Sequence, residues 1–291
     1  MKKNKKGFDI YKLFIYVALI TLAITIIVPV LWVFMASLKD NQEFYGNPWT
    51  FPKGLKFSNF AEAIVIANMG EYFFTSVLVT GLGIVILLVV SIPCAYALSR
   101  FEFRGRGILN GFFHAGIFVN VNYIVVPIFL MLLDWDILLR QNTGNGFFLD
   151  NRFVLALVYA STAIPFTIYL LSNYFRTIPK DFEEAASMDG ASHFRTMMSI
   201  MVPMAKPSII TVVLFNFLAF WNEYIIALTL MPNSTKTLPV GLINLMQSQR
   251  GAANYGPMYA GLVIVMLPTL ILYILVQKKL TEGMTVGGVK G

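Results

Sequence analysis

Six stretches of the chain are apolar on all sides and long enough to cross a bilayer: residues 14–35, 72–99, 108–133, 153–175, 207–231 and 258–277. A hydrocarbon core of about 30 Å takes roughly 20 residues of helix, and a helix pairs every backbone polar group within the segment. Across all six the single formal charge is Glu223. Buried helices of a large soluble protein would carry charged outer faces at helical spacing, and these runs have none. The pattern predicts an all-α, polytopic membrane protein with six transmembrane helices.

The connections and tails between these spans reach at most 36 residues, and an independent domain needs about 50. The chain therefore reads as one transmembrane domain, 1–291, without a fused ATPase, receptor or soluble catalytic unit. Its energy must come from a gradient or from another chain. The composition agrees, with 57% hydrophobic and 13% charged residues. Cys94, the one cysteine, lies in an apolar run and allows no disulfide framework. The net charge of +7 is unevenly placed: the N-terminus, the second and fourth connections and the C-terminus hold 15 of the 22 Lys and Arg. Cytoplasmic segments carry that excess, so both termini are expected inside. Lys2, Lys3, Lys5 and Lys6 precede an apolar run too long for a signal peptide, and it reads as an uncleaved first span. The positive charge is then a topology and lipid-surface signal. Without an aromatic and basic platform it gives no support to nucleic-acid binding.

Little in the chain suggests bond-breaking chemistry. His114 and His193 are about eighty residues apart without metal-ligand spacing, and Gly81 and Gly83 have no following Lys-Ser/Thr to cradle phosphate. One intramembrane carboxylate, Glu223, cannot supply both halves of acid-base work. It belongs to Trp221-Asn222-Glu223-Tyr224 and allows two readings: a hydrated interfacial carboxylate flanked by belt aromatics, or part of a passage for a hydroxyl-rich solute. In the second reading Trp221, Asn222 and Glu223 are candidate translocation-path residues.

The 31-residue connection 176–206 is patterned as two short helices. Pro179, Lys180 and Asp181 open the first and Glu183-Glu184-Ala185-Ala186 continue it, while Asp189-Gly190 stop it. Ser192 can cap the second, whose Phe194, Met197, Met198 and Met201 are expected on one apolar stripe. Methionine surface beside acidic residues suits a partner-facing element. The alternative, a helix lying on lipid head groups, would favour a basic polar face, and this loop holds 4 basic and 4 acidic residues.

Glu184-Ala185-Ala186, three residues, Gly190, nine residues, Ile200, one residue, Val202-Pro203 resembles the EAA signature of permease subunits of ATP-binding-cassette importers, with Val202 where leucine is usual. Ala95-Tyr96-Ala97-Leu98-Ser99-Arg100-Phe101, Phe103-Arg104-Gly105, Trp221-Asn222-Glu223-Tyr224, Thr237-Leu238-Pro239-Val240-Gly241 and the closing Gly287-Gly288-Val289-Lys290-Gly291 look like its carbohydrate branch, the smaller permease of the maltose type. The resemblance implies a type I importer permease fold and a non-catalytic subunit. It also implies a second permease as heterodimer partner, two cytoplasmic ATPases that bind ATP and Mg, and an extracytoplasmic solute-binding protein. Glu184, Ala185, Ala186, Asp189, Gly190, Ile200 and Pro203 would form the coupling element, with Glu184 paired to a basic residue of the ATPase. Val289, Lys290 and Gly291 would dock there as well. A loop within 247–255, with Gln249, Asn254 and Tyr255, would meet the binding protein. An importer of the same architecture for a polyol, a glycerol-phosphate derivative or a peptide remains open, as does a gradient-driven carrier.

Overall fold

The computed structural model describes residues 10–66, 68–233, 236–252 and 254–288. All regular structure among them is helical: α1 (Ile10–Ser37), α2 (Asn41–Gly46), α3 (Ser58–Ile66), α4 (Met69–Arg100), α5 (Arg106–Ile117), α6 (Val121–Thr143), α7 (Arg152–Thr177), α8 (Asp181–Met188), α9 (His193–Thr196), a π-helical turn (Met197–Met201), α10 (Val202–Met204), α11 (Lys206–Trp221), α12 (Ile225–Leu230), α13 (Leu238–Ala252) and α14 (Tyr255–Gly288). Packing divides the chain into two compact units, Met1–Met69 with Leu242–Met266, and Gly70–Gly241 with Leu267–Gly291.

Among the described residues five helices, α1, α4, α6, α7 and α14, have the length and apolar composition to cross a membrane, and the pair His193–Met204 and Lys206–Trp221, bent by 75°, has them only when its two parts are taken together. Four of the expected spans coincide with α1, α4, α7 and α14. The third does not run as 108–133. Asn120 leaves the helix and its Oδ1 accepts the Asn122 amide, starting α6 afresh at Val121. A carboxamide competes for the backbone in this way even inside an apolar run. α6 then continues past Leu133 to Thr143, because Asp136, expected in a loop, is instead buried and paired. Its carboxylate accepts from Arg140 Nε at 2.7 Å and from the amides of Phe147 and Phe148 at 2.7 and 2.8 Å. The fifth expected span likewise breaks, at 222–224 between α11 and α12.

In the larger unit α4 and α7 touch at successive levels. Arg152 lies 3.6 Å from Glu71, the Gly83 position faces the Ala156 carbonyl, Ser172 Oγ donates to Ala95 O at 3.3 Å, and Arg100 Nη2 donates to Ile178 O at 2.6 Å. The two helices therefore run parallel, and α8 is attached where both end. A buried cluster of Tyr96, Leu171, Phe175, Met197, Met201 and Val212 fills that end.

In the smaller unit the fully buried Lys39 directs its ammonium to Asn47 O, Pro48 O and Thr50 Oγ1 at 3.0–3.3 Å. Burial pushes it below the usual lysine range, against the pull of Glu43. Asn59 Nδ2 ties the end of α1 by donating to Ser37 O and Lys39 O, both at 2.8 Å.

Candidate functional site

Ile178 precedes proline and is extended, φ −75° and ψ 128°, which ends α7. α8 begins with Asp181, Glu183 and Glu184 in its first turn, where the helix dipole favours carboxylates. It closes with a left-handed Gly190, φ +75°, as Gly190 N donates to Ser187 O at 3.0 Å and Ala191 N to Ala186 O at 2.9 Å. That hydrogen-bond pair is the Schellman stop. Ser192 Oγ then accepts from Arg195 N and starts α9.

Two adjacent carboxylates on α8 are placed differently. Glu183 points into the protein: its Oε1 accepts from Tyr96 OH at 2.7 Å, and its Oε2 lies 3.1 Å from Arg100 Nε. Arg100 is 6% exposed and also bonds the Ile178 carbonyl, so the end of α4, the end of α7 and α8 share one ion pair. Glu184 and Ala185 are exposed, while Ala186 is buried. Phe182 and Met188 add apolar surface outside, Met188 at 90% exposure. Beside α8 lies an open cavity of about 230 Å³ lined by Arg100, Lys180, Glu183, Glu184, Ser187 and His193 among others.

The remaining loop residues divide. Asp189 and Pro203 are exposed and Ile200 is half-buried. The expected single stripe of Phe194, Met197, Met198 and Met201 is corrected: Met197 and Met201 are buried, but Phe194 and Met198 are 70% and 49% exposed. The π-helical turn over Met197–Met201 has i→i+5 bonds, so it is wider than an α-turn and rotates these side chains apart. Sequence reasoning missed Glu183, Tyr96 and Arg100 as a set. The available signal was Tyr96 and Arg100 at i, i+4 spacing on the last turns of an apolar helix, with a lone cation opposite an acidic short helix.

Trp221 is buried, stacked on Phe217 with centroids 5.4 Å apart and edge-on to Phe73. Asn222 is exposed, its Nδ2 donating to Leu218 O at 2.8 Å. Glu223 is half-buried: Oε2 accepts from Tyr159 OH at 2.8 Å and Oε1 from Ile226 N at 2.7 Å, capping α12. Tyr255 stacks on Phe44 at 4.9 Å, and its amide donates to Asn41 Oδ1. Burial and the Tyr255 phenol beside it raise the Tyr45 phenol above its ordinary range. Asn254 is half-buried just before α14, and Gln249 falls in α13, its side chain outside what is described. Val289, Lys290 and Gly291 lie outside the described residues. Among the described residues no three His, Cys, Asp or Glu side chains come together to hold a metal.

Apolar spans with a short, internally braced helix at one end define a multi-pass membrane protein. Comparison with known proteins gives the family. Residues 84–278 match the binding-protein-dependent transport system inner membrane component, and the chain belongs to that family. It is 34% identical to the diacetylchitobiose uptake system permease protein NgcG of Streptomyces coelicolor, over 92% of this chain and 86% of that one. It is 28% identical to the trehalose/maltose transport system permease protein MalG of Thermococcus litoralis, over 96% and 97%. A chain of a bacterial ABC transporter involved in the import of the acidic polysaccharide alginate superposes with a TM-score of 0.77 at 25% identity, covering 96% of this chain and 99% of that one. The protein is thus a multi-pass membrane component of a transport system, with the importer permease fold.

Proposed function

We propose that this chain is one of two permease subunits of an ATP-driven carbohydrate importer. Its α8 element sits on a cytoplasmic ATPase, whose partner copy serves the second permease. ATP and Mg belong to those ATPases. A solute-loaded extracytoplasmic binding protein delivers the sugar, and the bundle alternates between inward- and outward-facing states because nucleotide favours one of them. Both termini face the cytoplasm.

The observation that carries this reading is the two-sidedness of α8. Glu183 and Ala186 face inward and are held, whereas Phe182, Glu184, Ala185 and Met188 face outward. A helix fixed from behind and presenting acid, alanine and methionine is suited to a basic, grooved partner, and small residues allow close approach. The carbohydrate assignment draws on the relatives. The tail 289–291 adds to ATPase docking, Gln249, Asn254 and Tyr255 to the binding-protein side, and Trp221, Asn222 and Glu223 to the passage, where Glu223 also holds α12.

The test is reconstitution of the copurified complex with its binding protein and a panel of diacetylchitobiose, trehalose, maltose and alginate oligosaccharide. One of these should stimulate ATP hydrolysis and enter the vesicles only with nucleotide. Accumulation by this chain alone under an ion gradient would overturn the reading.

A further inference from the structure

The third apolar run is interrupted at its middle. Phe118, Val119 and Asn120 lie between α5 and α6, and Asn120 is thirteenth of the 26 residues from 108 to 133. Packing gives the same depth. An ideal Cβ at Gly116 would come within 2.9 Å of Pro165 Cγ, so α5 meets α7 there closely. Pro165 is midway along the 26-residue α7, about 20 Å from its start at 1.5 Å per residue. Irregular backbone at such depth survives only against protein or along a water-filled passage, because hydrocarbon cannot satisfy its polar groups. On this chain the break is open: Phe118 is 88% and Tyr123 82% exposed, and Asn120 and Asn122 are exposed beside them.

The groups gathered there share one chemistry. Asn120 and Asn122 bring two carboxamides, each with donors and an acceptor, and Tyr123 brings a phenol. Pro127 lies inside α6 and, having no N–H, withdraws the helical donor from the Tyr123 carbonyl. Beside these polar atoms stand two exposed aromatic rings. Hydroxyls bond amides and carbonyls, while the CH face of a sugar ring rests on an aromatic face. Discontinuous helices near the bilayer midplane are also where transporters commonly hold solute. A lipid-facing surface would leave the carboxamides unpaired at a cost.

We propose that the α5–α6 break, through Asn120, Asn122, Tyr123 and the ring of Phe118, is the surface by which this chain touches the transported carbohydrate within the membrane. This rests on the reading of the chain as a carbohydrate-importer permease. Asn122 is the discriminating position, since Asn120 also caps α6.

In the reconstituted importer, on a Cys94→Ala background, single thiols are placed by Asn120→Cys, Asn122→Cys and, as a lipid-facing control, Ile20→Cys, at a site 57% exposed in α1. A charged, water-soluble thiosulfonate should modify positions 120 and 122 much faster than 20. Saturating sugar-loaded binding protein, with the nucleotide state trapped, should slow the first two and leave the third unchanged. Asn122→Ala should raise the KM for uptake about tenfold, the scale of one lost hydrogen bond, with unaltered subunit copurification and Tm, and Asn122→Gln should recover part of it. In a complex that imports sugar normally, thiols at 120 and 122 that resist the reagent, or react at one rate with and without sugar, overturn the assignment alone. A complex that imports none of the panel overturns the functional reading, and this assignment with it.

Discussion

Glu183 and Glu184 show how far one peptide bond separates two tasks. Spacing to Gly190 and Pro203 singles out Glu184, and the structure places it outward, free of the brace that Tyr96 and Arg100 make with Glu183. The outward residue was legible because a signature counts positions. The inward one was not, since its partners lie 83 and 87 residues away in sequence. Glu184→Lys should therefore release the ATPase at moderate salt while the permease remains folded, by reversing a charge at a partner-facing site. Stoichiometry of the purified complex on a native gel checks this, and full retention of the ATPase would count against the docking role. Gly190 is a backbone matter: its φ is +75° and an added Cβ would meet nothing within 4 Å. Gly190→Val should thus cost about 1–3 kcal/mol through conformation alone and abolish uptake without loss of insertion, whereas Gly190→Asn should be milder. Uptake by membrane vesicles, normalised to expressed protein, measures the difference.

Among elements, the expected runs that match α1, α4, α7 and α14 were readable from apolar length, and the breaks inside the third and fifth expected runs were not. Length counts apolar atoms, and a cap such as Asn120 or a π-helical turn at Met197–Met201 changes the path without changing the count. The same turn separates Met197 and Met201 from Phe194 and Met198, which a 3.6-residue period places together. The Arg100–Glu183 pair joins α4 to α8, so a push on α8 enters the bundle along α4. Arg100→Glu should uncouple nucleotide turnover from uptake while leaving the ATPase bound. Arg100→Glu with Glu183→Arg should restore part of the uptake, because the pair is re-formed in reverse. ATP hydrolysed per sugar imported is the readout, and equal ratios in wild type, single and double variants would exclude this linkage. The reversed pair is not expected to recover fully, as Tyr96 then loses its acceptor.

For the molecule as a whole, apolar spans and family membership make it a multi-pass membrane component, and its proposed direction follows from the distribution of Lys and Arg. With both termini in the cytoplasm, tags at either end should be cleaved by added protease in inverted vesicles, whose outer face is cytoplasmic, and protected in intact spheroplasts; cleavage in spheroplasts would reverse the sidedness and place α8 beyond reach of ATP. α8 also has a consequence for evolution. Its exposed residues, Phe182, Glu184, Ala185 and Met188, are not the ones that form the brace of Glu183 with Tyr96 and Arg100, so substitution of the exposed set leaves the bracing groups in place. If α8 docks an ATPase as proposed, exchanging those few surface positions would fit the same bundle to a different motor.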